Sequence, residues 1–233
     1  MLAPFLLRKL APILFGLILG LSIISARAGG PVTSGPSAGT QAIDPDDQHY
    51  WNDKFSDPRV QFNRNPSRLL VETVRDLKPG LALDLGMGEG RNSIYLAQQG
   101  WLVTGVDLSN VAVEQARRRS AKMGVKLDAT VDGLDHFDFG QNRWDLIILF
   151  YVHAWYNDAR PQSAQRLREA LKPGGILIIE GFAGDESYTF KPNELLHDFS
   201  DLKVLRYEDT QGDADWAPAR RSHIIRLVAQ KVM

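Results

Sequence analysis

Cysteine is absent from this chain of 233 residues, which removes disulfides, thiolate nucleophiles and zinc-thiolate sites from consideration and leaves the redox compartment open. Excess positive charge is missing too: 27 Lys and Arg stand against 28 Asp and Glu, a formal net charge of -1. Proteins that grip phosphate backbones without reading bases carry a basic footprint, so this balance argues against a nucleic-acid partner. The Arg117-Arg118-Arg119 run reads as the solvated face of a helix. Internal repeats at solenoid periods and coiled-coil heptads are lacking as well. The remainder is ordinary, with 44% hydrophobic and 24% charged residues in a length that suits one domain with a sizeable core.

The amino terminus departs from that average. Arg8 and Lys9 precede an apolar stretch from Ile13 to Ile24, and Ala26-Arg27-Ala28 follows before Gly29-Gly30. These are the three parts of a secretory signal peptide. The alternative is an uncleaved anchor, since Leu10 to Ile24 falls only slightly short of the roughly 20 residues that cross a bilayer. Either way, Arg8 and Lys9 hold the front of the segment on the cytoplasmic side. The expected location is exported, periplasmic or anchored in the inner membrane, given a bacterial source, and cytoplasmic if the segment is no signal. Membrane association is expected only through this segment. Removing residues 1–28 leaves 24 basic against 28 acidic residues, a formal charge of -4. Residues 29–47 are rich in Gly, Pro, Ser, Thr and Ala, too poor in large apolar side chains to repay the entropy of ordering, and are expected to be a flexible linker. Residues 48–233 are left as the folded domain.

Within that domain short apolar runs alternate with amphipathic ones. Strands are expected at Leu81–Leu85, Trp101–Val106, Val125–Val131, Trp144–Phe150 and Ile176–Ile179. Helices are expected at Pro66–Leu77, Arg91–Gln99, Val111–Met123 with Ser109 as N-cap and Gly124 beyond its end, and Pro161–Leu171, which stops at Lys172-Pro173-Gly174-Gly175. Continuous apolar runs such as Leu146-Ile147-Ile148-Leu149-Phe150 belong to strands covered on both faces, and the alternation implies right-handed crossovers in a parallel sheet. The rhythm then breaks. After a short helix near Asn193–Phe199, Leu202–Glu208 and His223–Ala229 read as strands with no helix between them, hence antiparallel. The fold class is therefore α/β: a doubly wound, mostly parallel seven-stranded sheet closing in a C-terminal antiparallel hairpin.

The segment richest in chemistry is Asp84-Leu85-Gly86-Met87-Gly88-Glu89-Gly90-Arg91-Asn92, where a strand turns into a helix. Its glycines let a ligand approach the backbone, and the helix start beyond them, with Arg91, suits negative charge. The spacing differs from a dinucleotide fingerprint, whose third glycine comes one residue later, and Arg91 stands where a glycine would permit close helix packing. That mismatch, with the antiparallel ending, argues against a nucleotide-dependent oxidoreductase. Asp84 would repel a pyrophosphate but suits a cation such as the amino group or sulfonium-bearing chain of S-adenosylmethionine. Asp107, 17 residues beyond Gly90, can accept hydrogen bonds from ribose hydroxyls, with a helix-start role before Ser109 as the alternative.

Asp84 to Asn92, Val103-Thr104-Gly105-Val106-Asp107-Leu108-Ser109 and Leu171-Lys172-Pro173-Gly174-Gly175 resemble successive motifs of the class I S-adenosylmethionine-dependent methyltransferases. The Gly-Glu-Gly-Arg-Asn variant is similar to the tellurite-resistance and thiopurine-type branch, which acts on small molecules. The resemblance covers about Tyr50 to Val232 and implies a Rossmann-like methyltransferase fold, S-adenosylmethionine as cofactor and a small-molecule acceptor. It assigns Asp84, Gly86, Gly88 and Gly90 to the methionine end of the cofactor, with Asp107 on the ribose. Leu108 is expected on the adenine, Asp132 at its amino group, and Phe150 and Tyr151 beside the reacting methyl. Asp128, Asp135 and Asp138 crowd the same stretch as Asp132 and read mostly as solvated loop acids. Met87 stands where the family often has cysteine, at a side chain not expected to touch the cofactor. The export signal is the larger departure, because the cofactor is made in the cytosol; a non-catalytic exported relative that binds a metabolite is therefore the alternative.

Methyl transfer mainly demands alignment and exclusion of water, so no catalytic triad is required. Candidate bases are Tyr151, His153 and Tyr156, all just past the fourth strand; equally, these residues with Trp155 could line an aromatic pocket or pack under a following helix. Tyr50, Trp51 and Phe55 could form an aromatic lid or a staple holding a first helix to the core. No metal site is expected.

Overall fold

The computed structural model describes residues 45–215 and 221–232. The expected signal or anchor segment, and the expected linker up to residue 44, lie outside the described residues. Among the described residues no helix is long and apolar enough to cross a membrane.

The elements run α1 (Pro45–Ser56), α2 (Arg68–Val74), β1 (Leu81–Leu85), α3 (Arg91–Gln98), β2 (Leu102–Asp107), α4 (Asn110–Lys122), β3 (Asp128–Val131), β4 (Trp144–Phe150), α5 (His153–Asp158), α6 (Gln162–Ala170), β5 (Leu171–Phe182), α7 (Glu194–Asp198), β6 (Lys203–Asp213) and β7 (Arg221–Gln230). They build a seven-stranded sheet in the order β3-β2-β1-β4-β5-β7-β6. The first five strands are mutually parallel, whereas β7 runs antiparallel to β5 and β6 antiparallel to β7. The doubly wound sheet with its antiparallel ending is the architecture expected from the alternation of runs. The inserted β7 also rules out the continued parallel sheet that an oxidoreductase reading needed.

Side-chain alternation along the strands divides the core in two. Leu83 and Leu85 of β1, Ile147 and Leu149 of β4, and Leu177 and Ile179 of β5 share one face with Tyr156 of α5 and Leu167 of α6. Ala82, Leu146, Ile148, Phe150 and Ile178 face the other way, onto Leu69 and Leu70 of α2 and Leu96 of α3. Strands buried on both faces explain why β1 and β4 are apolar except at Asp84 and at half-buried Asp145 near the start of β4.

Several boundaries differ from expectation. β3 begins at Asp128, not Val125, because Val125 N–H is taken by Ser120 O in the closing turn of α4. β5 begins at Leu171 and carries Lys172-Pro173-Gly174-Gly175 as extended chain: Gly174 N–H donates to Lys231 O at 2.8 Å and Lys231 N–H returns to Gly175 O at 2.9 Å. The stop to α6 is therefore the start of a strand, not a loop. β6 and β7 extend beyond their expected ends, and α2 is shorter than Pro66–Leu77. An initial helix is expected only as the alternative to an aromatic lid; α1 is that helix and starts at Pro45, three residues ahead of the expected domain boundary, and α5 adds a short helix after β4. Ser109 caps α4 as anticipated, its hydroxyl accepting from Ala112 N–H at 3.1 Å, with Gly124 beyond the end at φ +67°.

Candidate active site

The strand order reverses between β1 and β4, whose neighbours lie on opposite sides, and crevices at the carboxyl ends of such strands bind ligands in open α/β sheets. The glycine loop fills this position. Gly86 and Met87 N–H both donate to Val106 O, at 2.8 and 3.0 Å, so the chain folds back over the end of β2. Gly86, Gly88 and Gly90 all have positive φ, at +72°, +55° and +75°, which side chains rarely tolerate. Space reinforces the dihedrals: a Cβ on Gly86 would meet Val152 at 2.5 Å, and one on Gly90 would meet Ala116 of α4 at 3.0 Å. Gly90 thus supplies the close helix packing that sequence spacing had appeared to deny at Arg91.

Two carboxylates flank the loop. Asp84 is 2% exposed and accepts the Ser93 hydroxyl at 2.6 Å; burial pushes its pKa up to about 7. Asp107 accepts Gly88 N–H on Oδ2 and Ser109 N–H on Oδ1, both at 2.8 Å, and burial raises its pKa to about 6. The helix-start role considered for Asp107 is thus real. A carboxylate with one bond per oxygen retains lone pairs for a further donor, so a ribose role is compatible with it. Met87 is buried against Val113, Ala116 and Ala129.

The remaining expected contacts divide. Leu108 is half-buried and its carbonyl accepts Gln48 Nε2 at 2.9 Å; Asp132 lies next to Asp107, its N–H donating to Asp107 O at 3.1 Å. Asp135 and Asp138 are exposed loop acids, whereas Asp128, also exposed, opens β3. An open cleft of about 760 Å³ between Asp135–Gln141 and α6 shares no lining residue with the glycine loop. Phe150 is buried in the core beside Ile148 and Leu70, so its ring serves packing.

The base candidates take a different meaning. Tyr151 has a left-handed backbone at φ +62°, a strained conformation for an aromatic residue that aims it out of the end of β4. Its phenol donates to Glu180 Oε1 at 2.5 Å and accepts Asp215 N–H at 3.0 Å, and burial raises its pKa above the ordinary tyrosine range. It is a neutral hydrogen-bonding group. His153 is 8% exposed, its Nδ1 without a partner among the described residues, and burial lowers its pKa to about 4. Its ring packs against Phe182, Tyr188 and Phe190, with centroids 5.4, 6.4 and 6.1 Å away. A neutral imidazole of such low basicity fits the aromatic-lining alternative better than the base. Tyr156 is fully buried and donates to Asp198 at 2.7 Å inside the core, which removes it from the candidates.

Helix α1 packs over the end of β2 and the start of α4. Gln48 bonds Leu108 O, Asn52 Oδ1 accepts the Ser109 hydroxyl at 2.8 Å, and Gln115 Nε2 reaches Phe55 O at 2.9 Å. The Phe55 ring lies 3.3 Å from where a Gly88 Cβ would stand and stacks on Phe62 at 4.6 Å. The Phe55 ring therefore roofs the glycine loop, while Gln48 and Asn52 hold α1.

This geometry defines a class I methyltransferase fold. Residues 82–175 match the family model described as a methyltransferase domain. The probable S-adenosyl-L-methionine-dependent methyltransferase TehB of Haemophilus influenzae is 27% identical over 175 residues, covering 71% of this chain and 59% of TehB. The chain thus spans about three-fifths of the length of that relative. The crystal structure of TehB from Haemophilus influenzae superposes with a TM-score of 0.61 at 22% identity, covering 79% of this chain and 66% of TehB. The Burkholderia thailandensis 1,6-didemethyltoxoflavin-N1-methyltransferase, solved with S-adenosylhomocysteine, gives a TM-score of 0.56 at 21% identity, covering 71% of this chain and 76% of that one. Residues 82–175 thus carry a methyltransferase domain, and the chain is similar to S-adenosylmethionine-dependent methyltransferases of the TehB type.

Proposed function

We propose that this protein binds S-adenosylmethionine and transfers its methyl group to a small-molecule acceptor. The observation that carries the reading is the pairing of a strained three-glycine turn with two buried carboxylates, Asp84 and Asp107, at the reversal of strand order. Buried acids with raised pKa values beside a backbone that admits close approach fit a cationic ligand and oppose a pyrophosphate. Asp84 would hold the amino-acid end, Asp107 the ribose, and Leu108 and Asp132 the adenine. When bound, the cofactor supplies an electrophilic methyl group on a sulfonium.

The chain's own residues do the rest. Phe55 and α1 exclude water from the glycine loop. Tyr151, locked by Glu180, and the wall of Phe182, His153 and Tyr188 orient an acceptor at the ends of β4 and β5. A neutral His153 and a neutral Tyr151 suit an acceptor that is already nucleophilic, which needs alignment more than deprotonation. Thiol, toxoflavin-type and TehB-type relatives support the small-molecule class. Export by residues 1–28 remains the proposed location, resting on sequence alone.

The test is a screen of small thiols and heteroaromatic amines with S-adenosylmethionine, following S-adenosylhomocysteine by mass spectrometry. Acceptor-dependent product is expected, and its loss in Asp84→Asn ties turnover to this site; product formation unaffected by Asp84→Asn contradicts the assignment.

A further inference from the structure

Arg91 opens α3 directly after the glycine loop, and its side chain is 11% exposed. It is not idle. Nη1 donates to Asn65 O at 3.2 Å and to Asp215 O at 2.9 Å, while Nη2 donates to Asp215 Oδ1 at 2.7 Å. Asp215 comes from the far end of the chain, just past β6. Its N–H donates to the Tyr151 phenol at 3.0 Å and its carbonyl also accepts Asn63 Nδ2 at 2.6 Å. One residue therefore joins the cation beside the glycine loop to the phenol at the end of β4, the two sides of the crevice.

We infer that Asp215 occupies the subsite meant for the carboxylate of the cofactor's amino-acid end, and that Arg91 exchanges the Asp215 carboxylate for it on binding. The inference rests on the cofactor reading above. Three observations support it. Arg91 is a largely desolvated guanidinium, which recognises a carboxylate strongly and with defined geometry. Its present partner is itself a carboxylate, so exchange preserves the chemistry of the pair. The Asp215 side chain is 23% exposed and gives Arg91 one carboxylate oxygen, not the fork-to-fork pairing open to a free carboxylate. If Asp215 stayed in place, the incoming carboxylate would meet a neutralised cation with an acid beside it. Asp215 is on this account a specificity-determining residue that sets how much the amino-acid end contributes to binding.

The test is calorimetric titration of the full chain and of Asp215→Asn with S-adenosylhomocysteine and with 5′-methylthioadenosine, which shares the nucleoside but lacks the amino-acid end. Asp215→Asn removes the competing charge and is expected to bind S-adenosylhomocysteine about fivefold tighter, with 5′-methylthioadenosine unchanged. A merely structural role would move both ligands together. Arg91→Gln is expected to erase most of the preference for S-adenosylhomocysteine over 5′-methylthioadenosine, with thermal unfolding recorded to show that both variants fold. Equal or weaker binding of S-adenosylhomocysteine to a folded Asp215→Asn overturns the exchange while leaving the cofactor assignment standing. Failure of both ligands to bind either chain overturns the assignment and the exchange with it.

Discussion

Asp107 and Gly88 are joined across the mouth of the sheet, Gly88 N–H donating to Asp107 Oδ2 at 2.8 Å. A residue at the end of β2 thereby fixes the centre of the loop that follows β1. Its other oxygen fixes Ser109 at the start of α4. Replacing Asp107 by Ala orphans two N–H groups and removes the proposed ribose acceptor. Losing bonds to a charged group costs about 1.5–3 kcal/mol each, so a drop of more than about tenfold in affinity for S-adenosylhomocysteine is expected with the fold retained by circular dichroism. Unchanged affinity in a folded Asp107→Ala chain removes the ribose assignment.

The two buried acids predict a pH dependence. Burial raises Asp84 to about 7 and Asp107 to about 6 from a reference value of 3.8. The folded chain then binds more protons than the unfolded one between these values. Their contribution to stability is accordingly complete below about pH 4 and is lost as pH rises through 6 and 7. A cationic ligand reverses the preference by favouring the ionised acids. Affinity for S-adenosylmethionine should therefore rise from about pH 5 to pH 8 with net proton release, read by calorimetry in two buffers of different ionisation enthalpy. Proton uptake on binding would contradict this.

Glu180 is 1% exposed, accepts Arg226 Nε at 2.5 Å and also takes the Tyr151 phenol. Its pKa is raised chiefly by burial. Removing one member of a buried pair costs about 3–5 kcal/mol because the other is left uncompensated. Here Glu208 retains part of Arg226, with Oε2 at 2.9 Å. Glu180→Leu should lower stability towards the bottom of that range, and Glu180→Leu with Arg226→Met should recover most of the loss. A denaturant cycle over the four chains reads the coupling, and additive losses would argue that the pair contributes nothing.

Phe55 roofs Gly88, whereas α1 is held independently through Gln48 and Asn52. Phe55→Ala should leave α1 docked but speed release of S-adenosylhomocysteine about fivefold, as expected for one lost aromatic contact. Stopped-flow displacement measures this; an unchanged off-rate would reduce Phe55 to a staple.

Much of this was legible before any coordinates. The seven strands, the antiparallel ending and the Ser109 cap followed from period, breakers and caps, all local signals. Asp84 stood out as an acid within an apolar strand. Glu180 carried the same signal, directly after Ile176–Ile179, but pointed to an ion pair with Arg226 that only the register of β5 and β7 could reveal. Ser93 and Asn92 are polar groups on the buried side of α3, a mismatch readable in principle once the helix is drawn. Asp215 and Asn52 gave no such sign. Each acts through a partner more than 50 positions away, and turn-rich or solvated stretches carry no period to betray the contact. For Tyr151 and His153 the sequence left a base and an aromatic lining open, and burial, which keeps both neutral, favours the lining.

The central claim is that Asp84, the three glycines and Asp107 form a site for S-adenosylmethionine. Titrating the full chain calorimetrically with S-adenosylmethionine, S-adenosylhomocysteine and NADH tests it most directly. The account predicts saturable one-to-one binding of the first two and none of NADH. Binding of NADH, or no binding of either adenosyl ligand by a chain with a cooperative unfolding transition, would contradict it.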